Sequence, residues 1–233
     1  SYCIQMTFKL PKLIATSVVR GSVQGESHGG IYTVDFDKKE AEQHVDWNTS
    51  DIDFEGRGAD RGLRGICFHD EYIYIAASDE LFCYNKNFES NNSFKNRYLK
   101  HAHEICRIEK RIFLTSTGFD SLLSFNLETK RFDWGFQLRR EYDQWTGGLF
   151  DPRKSIGPRP VNDFHINMVD VNEDGIFLSG LKTEGLLHIG ADNKVRKVCE
   201  LPLGTHNPKF WKNGIVFNDT ASDCLRYVPR EGE

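Results

Sequence analysis

Methionine is almost missing from this chain, with 2 in 233 residues, and alanine is scarce. No apolar run approaches the ~18 residues that a membrane-crossing helix requires. The chain does not open on a charged segment followed by an apolar stretch, so no secretory leader is expected at its start. Charge of one sign is lacking as well. Thirty Lys and Arg face 34 Asp and Glu, and no basic cluster stands out, which argues against nucleic acid as the main partner. Six cysteines are present (Cys3, Cys67, Cys83, Cys106, Cys199 and Cys224), but no two are spaced as C-x-x-C. Most lie in apolar, strand-like runs, so a zinc or disulfide framework is weakly supported and buried free thiols in a reducing, cytoplasmic compartment are the expectation. Helical periodicity is absent over any window long enough to matter. What the chain does have is 17 Phe and 8 Tyr, a composition that favours strands.

The strands repeat. A β-branched or aromatic run ending in small polar residues recurs as LIATS, IYIAAS, IFLTST, IFLSG and IVFNDT, and the last four begin at Ile73, Ile112, Ile176 and Ile215. Their intervals are 39, 64 and 39 residues, one period of ~40 with an insertion of about 24 in the middle. A second run follows each of these (GIYTVD, ELFCYN, SLLSFN, GLLHIG, DCLRYV), and further runs stand upstream and downstream. Tandem four-strand units of ~40–45 residues are the mark of propeller blades. The expected fold is therefore all-β: a single domain over residues 1–233, a five-bladed β-propeller with four-stranded antiparallel blades around a central channel. The blades are placed at about 1–50, 61–99, 101–140, 162–202 and 204–233, with a lid-like insertion at 140–160. The N-terminal run CIQMTFKL either lines the first blade or closes the fifth from outside.

In such a fold the first strand of each blade lines the channel. The long segments Thr16–Gly29, Thr49–Asp60 and Arg139–Asn162 all fall on the face where those strands begin, and long loops on a rigid scaffold often carry function. At the strand starts stand Arg64, His103, His165 and His206, at intervals of 39, 62 and 41. Three imidazoles converging on one axis can hold a divalent metal such as Zn, Fe, Mn or Cu with a position left open. Arg64 suits an anionic group, and Arg61, Arg57 and Arg159 are near enough in sequence to add to it. Glu104, Asn167 and Asn207 lie beside the histidines as groups that orient ligands or touch substrate. Two blander readings compete: a metal-free polar ligand site, and a wet channel whose side chains bind only water and neighbouring backbone. The insertion Arg140–Pro160, with Trp145, two adjacent glycines and three prolines, reads as a lid or pocket wall, or else as a surface loop packed on a neighbouring blade. The run DVNEDG begins like a calcium loop, but Leu181 occupies its twelfth position where Glu is needed, so it reads as a turn.

The strings HEICRIEKRIFLTSTGFDSLLSFN, FHINMV and THNPKFWKNGIVFNDTASDCL resemble a group of bacterial propeller proteins of unassigned function, loosely grouped with the YVTN and gluconolactonase-like propellers. The resemblance spans roughly residues 60–228. Gluconolactonase-like propellers hold a divalent metal at the axis through carboxylate and amide oxygens. Histidines stand here instead, so the resemblance implies an axial site at the top face and no lactonase activity. The resulting expectation is a metal-dependent hydrolase, lyase or oxygenase acting on a small anionic or polyhydroxylated molecule. His103, His165 and His206 would be the metal ligands and Glu104 and Arg64 the catalytic residues. Arg64, Arg61, Asn167, Asn207 and Trp145 would bind substrate. The alternative is a non-catalytic propeller that binds a sugar or peptide in the same funnel. Neither nucleic acid nor membrane is an expected partner.

Overall fold

The computed structural model describes residues 10–48 and 62–229. Arg57, Arg61, the segment Thr49–Asp60 and nearly all of the run CIQMTFKL lie outside the described residues. The chain divides into two compact units, Ser1–Leu63 and Arg64–Glu233. Among the described residues, regular structure consists of nineteen strands and one 3-10 turn, and no helix is long and apolar enough to cross a membrane.

The first unit holds β1 (Leu13–Thr16), β2 (Gly30–Asp35) and β3 (Glu40–Asp46), paired antiparallel in chain order. Its interior is built on Ile31 and Trp47, with the buried His28 imidazole edge-on to the Trp47 ring. In the second unit, β4 (Leu63–His69), β5 (Tyr72–Ala77), β6 (Glu80–Tyr84) and β7 (Ser90–Lys95) make the next sheet. Then come β8 (Ile105–Ile108), β9 (Arg111–Ser116), β10 (Ser121–Asn126), β11 (Arg131–Glu141) and β12 (Gln144–Phe150). The fourth sheet is β13 (Ile166–Asn172), β14 (Gly175–Gly180), β15 (Gly185–Ile189) and β16 (Val195–Glu200). The fifth is β17 (Thr205–Trp211), β18 (Gly214–Asp219) and β19 (Cys224–Pro229). In every sheet each strand pairs with its neighbour in sequence. Five small up-and-down antiparallel sheets in succession make this a five-bladed β-propeller.

The blades are not uniformly four-stranded, as the repeat suggested. Among the described residues they have three, four, five, four and three strands. The fifth strand of the third blade comes from the segment read as a lid. There β11 runs on to Glu141, and Tyr142 and Asp143 both take left-handed backbone, at φ of 49° and 63°. That is the two-residue hairpin whose twist suits antiparallel strands, and β12 returns alongside. Gly147 makes the pairing close, because a Cβ there would fall 2.3 Å from a ring carbon of Phe136. The rest of the segment is fastened to the loop after β7. Asn96 Nδ2 donates to the Pro152 carbonyl at 3.1 Å, and the Tyr98 hydroxyl sits 3.1 and 3.0 Å from the carbonyls of Lys154 and Ser155.

Strand alternation explains why these blades are apolar on both faces. In β9, Ile112 and Leu114 pack with Tyr74, Leu81 and Phe125, whereas Phe113 between them packs with Phe136, Ile166 and Leu178. A third cluster joins Met168, Phe177 and Leu186 to Ile215 and Phe217. Each such side chain contributes about 1.5–3 kcal/mol by leaving water, so the sheets hold one another rather than standing alone. The five described cysteines are free thiols, of which Cys67 and Cys83 are buried, Cys106 and Cys199 half-buried and Cys224 exposed.

Candidate functional site

The first strands of the third, fourth and fifth blades begin on irregular backbone. His101, His165 and Asn207 are left-handed, with φ of 54°, 53° and 50°. β13 carries a bulge between Ile166 and Met168, and β17 one between His206 and Lys209. Bulges re-aim side chains and favour the borders of sites. Hairpin register shows which residues correspond. Cys106, Asp170 and Lys209 stand opposite Phe113, Phe177 and Val216, the second residues of three matching Ile-led pairs. Three residues before each of these lie His103, Asn167 and His206. By that count Asn167, and not His165, stands at the repeated place, within the bulge of β13. The interval of 62 from His103 to His165 is two short of the 64 from Ile112 to Ile176 because His165 sits on the turn ahead of β13.

His103 and His165 nonetheless meet, edge to face, with ring centroids 5.2 Å apart. Buried Thr115 seats the approach to β8, its Oγ1 accepting the backbone N–H groups of His103 and Glu104 at 2.9 and 3.1 Å. His103 Nδ1 lies 2.8 Å from the His101 carbonyl and 2.8 Å from Thr117 Oγ1, and the Thr117 hydroxyl donates to the Ile166 carbonyl at 2.5 Å. A carbonyl only accepts, and the single Thr117 proton is committed to Ile166, so Nδ1 carries the imidazole proton. Burial, reinforced by the Arg64 guanidinium, holds His103 down at about 3. Its ring is neutral near pH 7, and Nε2 is a bare acceptor. His165 is lowered too, by burial first and then by His206 and Arg64. His206 repeats the arrangement of His103, with Nδ1 3.2 Å from the Gly204 carbonyl. Gly65 N donates to the His103 carbonyl at 2.8 Å and so binds the strand of Arg64 alongside.

The same strands and β14 carry polar atoms with no hydrogen-bond partner among the described residues. Asn167 is only 4% exposed, yet neither its Oδ1 nor its Nδ2 is paired, and Asn207 Oδ1 and Ser179 Oγ are in the same condition. Buried polar groups are nearly always satisfied, so such exceptions call for an explanation. The turn after β9 supports the arrangement. Its residues Thr117–Phe119 form the 3-10 turn, and buried Asp120 follows with φ of 43°. Asp120 Oδ2 accepts the N–H groups of Asp163 and Phe164 at 2.6 and 3.1 Å, directly ahead of His165. Burial pushes its carboxyl up, and those N–H groups pull against the shift. Sequence reasoning missed Thr115, Thr117 and Asp120. The available signal was the run TSTGFD, where β9 closes on hydroxyl residues before a glycine turn.

A second polar group occupies the next positions along the same strands, and its members satisfy each other. The Cys106 thiol reaches Asp170 Oδ1 at 3.5 Å, Lys209 Nζ stands 4.0 Å from Asp170 Oδ2, and it donates to the Val169 carbonyl at 3.4 Å. Glu104 belongs here by its charge interactions. Burial raises its carboxyl, Lys209 opposes that and Asp170 adds to it, while Oε1 accepts Ile105 N at 3.0 Å. Gly65 makes room for that carboxylate, since a Cβ there would lie 2.9 Å from it. Cys67 joins the group, its thiol pushed up to about 12 by burial and by Cys106.

Arg64, His103, His165 and His206 are thus brought together, and Asn167 shares their register. Trp145 is placed in β12, edge-on to Phe164 at 5.0 Å with the Arg140 guanidinium 5.2 Å from its ring centre. Among the described residues no three His, Cys, Asp or Glu side chains are grouped as a metal centre would need.

No protein-family model and no curated protein matches the sequence, so the resemblance to YVTN and gluconolactonase-like propellers rests on the three histidine-centred strings alone. Solved structures do resemble it. BamB from Moraxella catarrhalis aligns at a TM-score of 0.53 and 11% identity, over 84% of this chain and 51% of that one. Catalytically inactive virginiamycin B lyase from Staphylococcus aureus, solved with quinupristin, aligns at 0.52 and 9%, over 87% and 63%. The WD40 β-propeller domain of Doa1 aligns at 0.51 and 10%, over 87% and 61%. The chain therefore spans between about half and somewhat under two thirds of the lengths of these three. Likeness at such identities speaks for architecture alone, and on that the three agree: this chain has the β-propeller fold.

Proposed function

We propose that Arg64, His103, His165, His206 and Asn167 form a binding site for a small anionic or polyhydroxylated molecule. One observation carries this reading. The Arg64 guanidinium acts on the half-buried rings of His103 and His165, and the buried Asn167 amide has no hydrogen-bond partner among the described residues. A guanidinium pairs well with carboxylate, phosphate or sulfate, and an open carboxamide beside it suits a polar ligand. The test is an NMR titration of the protein with sodium acetate. Saturable shifts at the residues around His103 that disappear in Arg64→Met are expected. Acetate causing no saturable shift, or shifting Arg64→Met equally, overturns the site.

A second reading is the metal-dependent enzyme, a hydrolase, lyase or oxygenase in which His103, His165 and His206 hold a divalent ion and Glu104 handles protons. It draws on one specific feature: Nδ1 of His103 and of His206 each faces a backbone carbonyl, the orientation that metal-binding histidines use to present Nε2. Elemental analysis of protein purified without a histidine tag tests it. Near-stoichiometric metal, lost in the His103→Ala, His165→Ala double variant, supports the enzyme, and metal-free protein unaffected by chelator removes it. The free thiols of the described cysteines accord with a reducing, cytoplasmic setting.

A further inference from the structure

We infer that this site takes a neutral molecule with hydroxyls on adjacent carbons, a diol or sugar, and that one hydroxyl donates to His103 Nε2. The inference rests on the site proposed above and selects the polyhydroxylated class within it. It starts from the His103 ring. Nδ1 lies 2.8 Å from both the His101 carbonyl and Thr117 Oγ1, and the Thr117 proton is committed to Ile166. Nδ1 therefore carries the imidazole proton, and Nε2 keeps a bare lone pair. His206 is held in the same way, with Nδ1 3.2 Å from the Gly204 carbonyl. Neither Nε2 has a hydrogen-bond partner among the described residues. An ether or a bare anion brings such an atom only more lone pairs, whereas a hydroxyl brings a proton. An ammonium would also donate, but the charges that keep a proton off His103, Arg64 first, oppose a cation there too.

Asn167 supplies the second observation. It follows Ile166, whose carbonyl takes the Thr117 hydroxyl that lies against His103. The side chain is buried, and neither Oδ1 nor Nδ2 is paired among the described residues. A carboxamide carries an acceptor and a donor along one edge. Hydroxyls on adjacent carbons present the matching edge, one donating to Oδ1 and the other accepting from Nδ2. Asn207 follows His206 in the chain, and its buried Oδ1 is a further acceptor without a partner among the described residues. A ligand with several hydroxyls answers these atoms together, and a simple alcohol answers one.

Glycerol and its trimethyl ether serve as probes, because they share the same vicinal oxygens and only glycerol has protons on them. Propane-1,3-diol, which lacks the middle hydroxyl, tests the adjacent pair. NMR titration of the full chain should show glycerol binding about tenfold or more tightly than the ether, the usual consequence of leaving a buried polar partner unmet. Propane-1,3-diol should fall between them. The nitrogen-15 signal of His103 Nε2 should move toward lower frequency with glycerol and stay with the ether, a readout that needs no variant. In His103→Phe the preference for glycerol over the ether should fall to about twofold or less. In Asn167→Leu glycerol and propane-1,3-diol should bind alike. Ether binding as tightly as glycerol, or glycerol binding without movement of Nε2, overturns the inference and leaves the site standing. Propane-1,3-diol matching glycerol in the wild type overturns the requirement for adjacent hydroxyls. Acetate bound around His103 with glycerol unbound overturns the inference alone. Binding of neither removes the site and the inference together.

Discussion

Two polar groups lie one above the other on the same strands, and they are built differently. Cys106, Asp170, Lys209 and Glu104 answer one another with a thiol, two carboxylates, an ammonium and backbone groups. In the neighbouring group, Asn167 has no partner for either amide atom among the described residues, and the His103 ring is kept neutral beside a guanidinium. A satisfied cluster is explained by folding. An unsatisfied one costs stability, because each unpaired buried polar atom forfeits its bond to water. Residues of that kind persist where something else binds them, and proteins commonly give up stability at such places.

The largest expected break in this contrast is at the support for the histidines. Asp120→Ala leaves the N–H groups of Asp163 and Phe164 without their acceptor in a partly exposed turn and should cost about 2 kcal/mol in chemical denaturation. A loss under ~0.5 kcal/mol would show that the turn does not seat His165. Acid comes next. The folded protein holds His103 at about 3 and His165 below its ordinary 6.5, so the unfolded chain takes up protons that the native rings refuse. That stability is complete above about 6.5 and is lost as pH falls from there toward 3. Glu104 and Asp120 are raised and act in the opposite sense in the carboxylate range, so the comparison is wild type against His103→Asn. The variant's melting temperature should change less between pH 7 and 5; parallel curves would refute a neutral buried ring.

The smaller effects separate the groups directly. Asp170→Ala should cost about 1 kcal/mol, since its ion pair is long and partly exposed, and it should leave acetate binding unchanged. Asn167→Leu should be within ~0.5 kcal/mol of wild type or more stable, because it removes two unpaired buried atoms at similar volume. It should also weaken ligand binding. Destabilisation by more than ~1 kcal/mol would mean that the amide is engaged structurally, and the contrast would then fail.

Much of the fold was readable in advance. The short polar breaks HDE, EKR, VNEDG and WKNG between apolar runs join β4 to β5, β8 to β9, β13 to β14 and β17 to β18. Apolar alternation with short polar breaks is a local property, and a local property can be read from a string. His103 and His206 were legible for the same reason, through the repeat. Their surroundings were not. The insertion became a hairpin because Tyr142 and Asp143 adopt left-handed backbone that neither residue requires, and because Gly147 admits the Phe136 ring. The count that aligned His165 with His103 failed by two because His165 lies on the turn ahead of β13, a boundary that spacing does not show. Trp145 was read as a pocket wall from its company, and its ring packs on Phe164.

The amino-acid order by itself determined the strands, the number of blades and the matching places of His103 and His206, all of which follow from a pattern that recurs every ~40 residues. Only the tertiary structure decided which nitrogen of His103 faces outward and which polar atoms lack a partner. Thr117, which sets that nitrogen, bonds Ile166 across 49 residues. A contact made at such separation is chosen by how the sheets pack, and no window of sequence contains both of its ends.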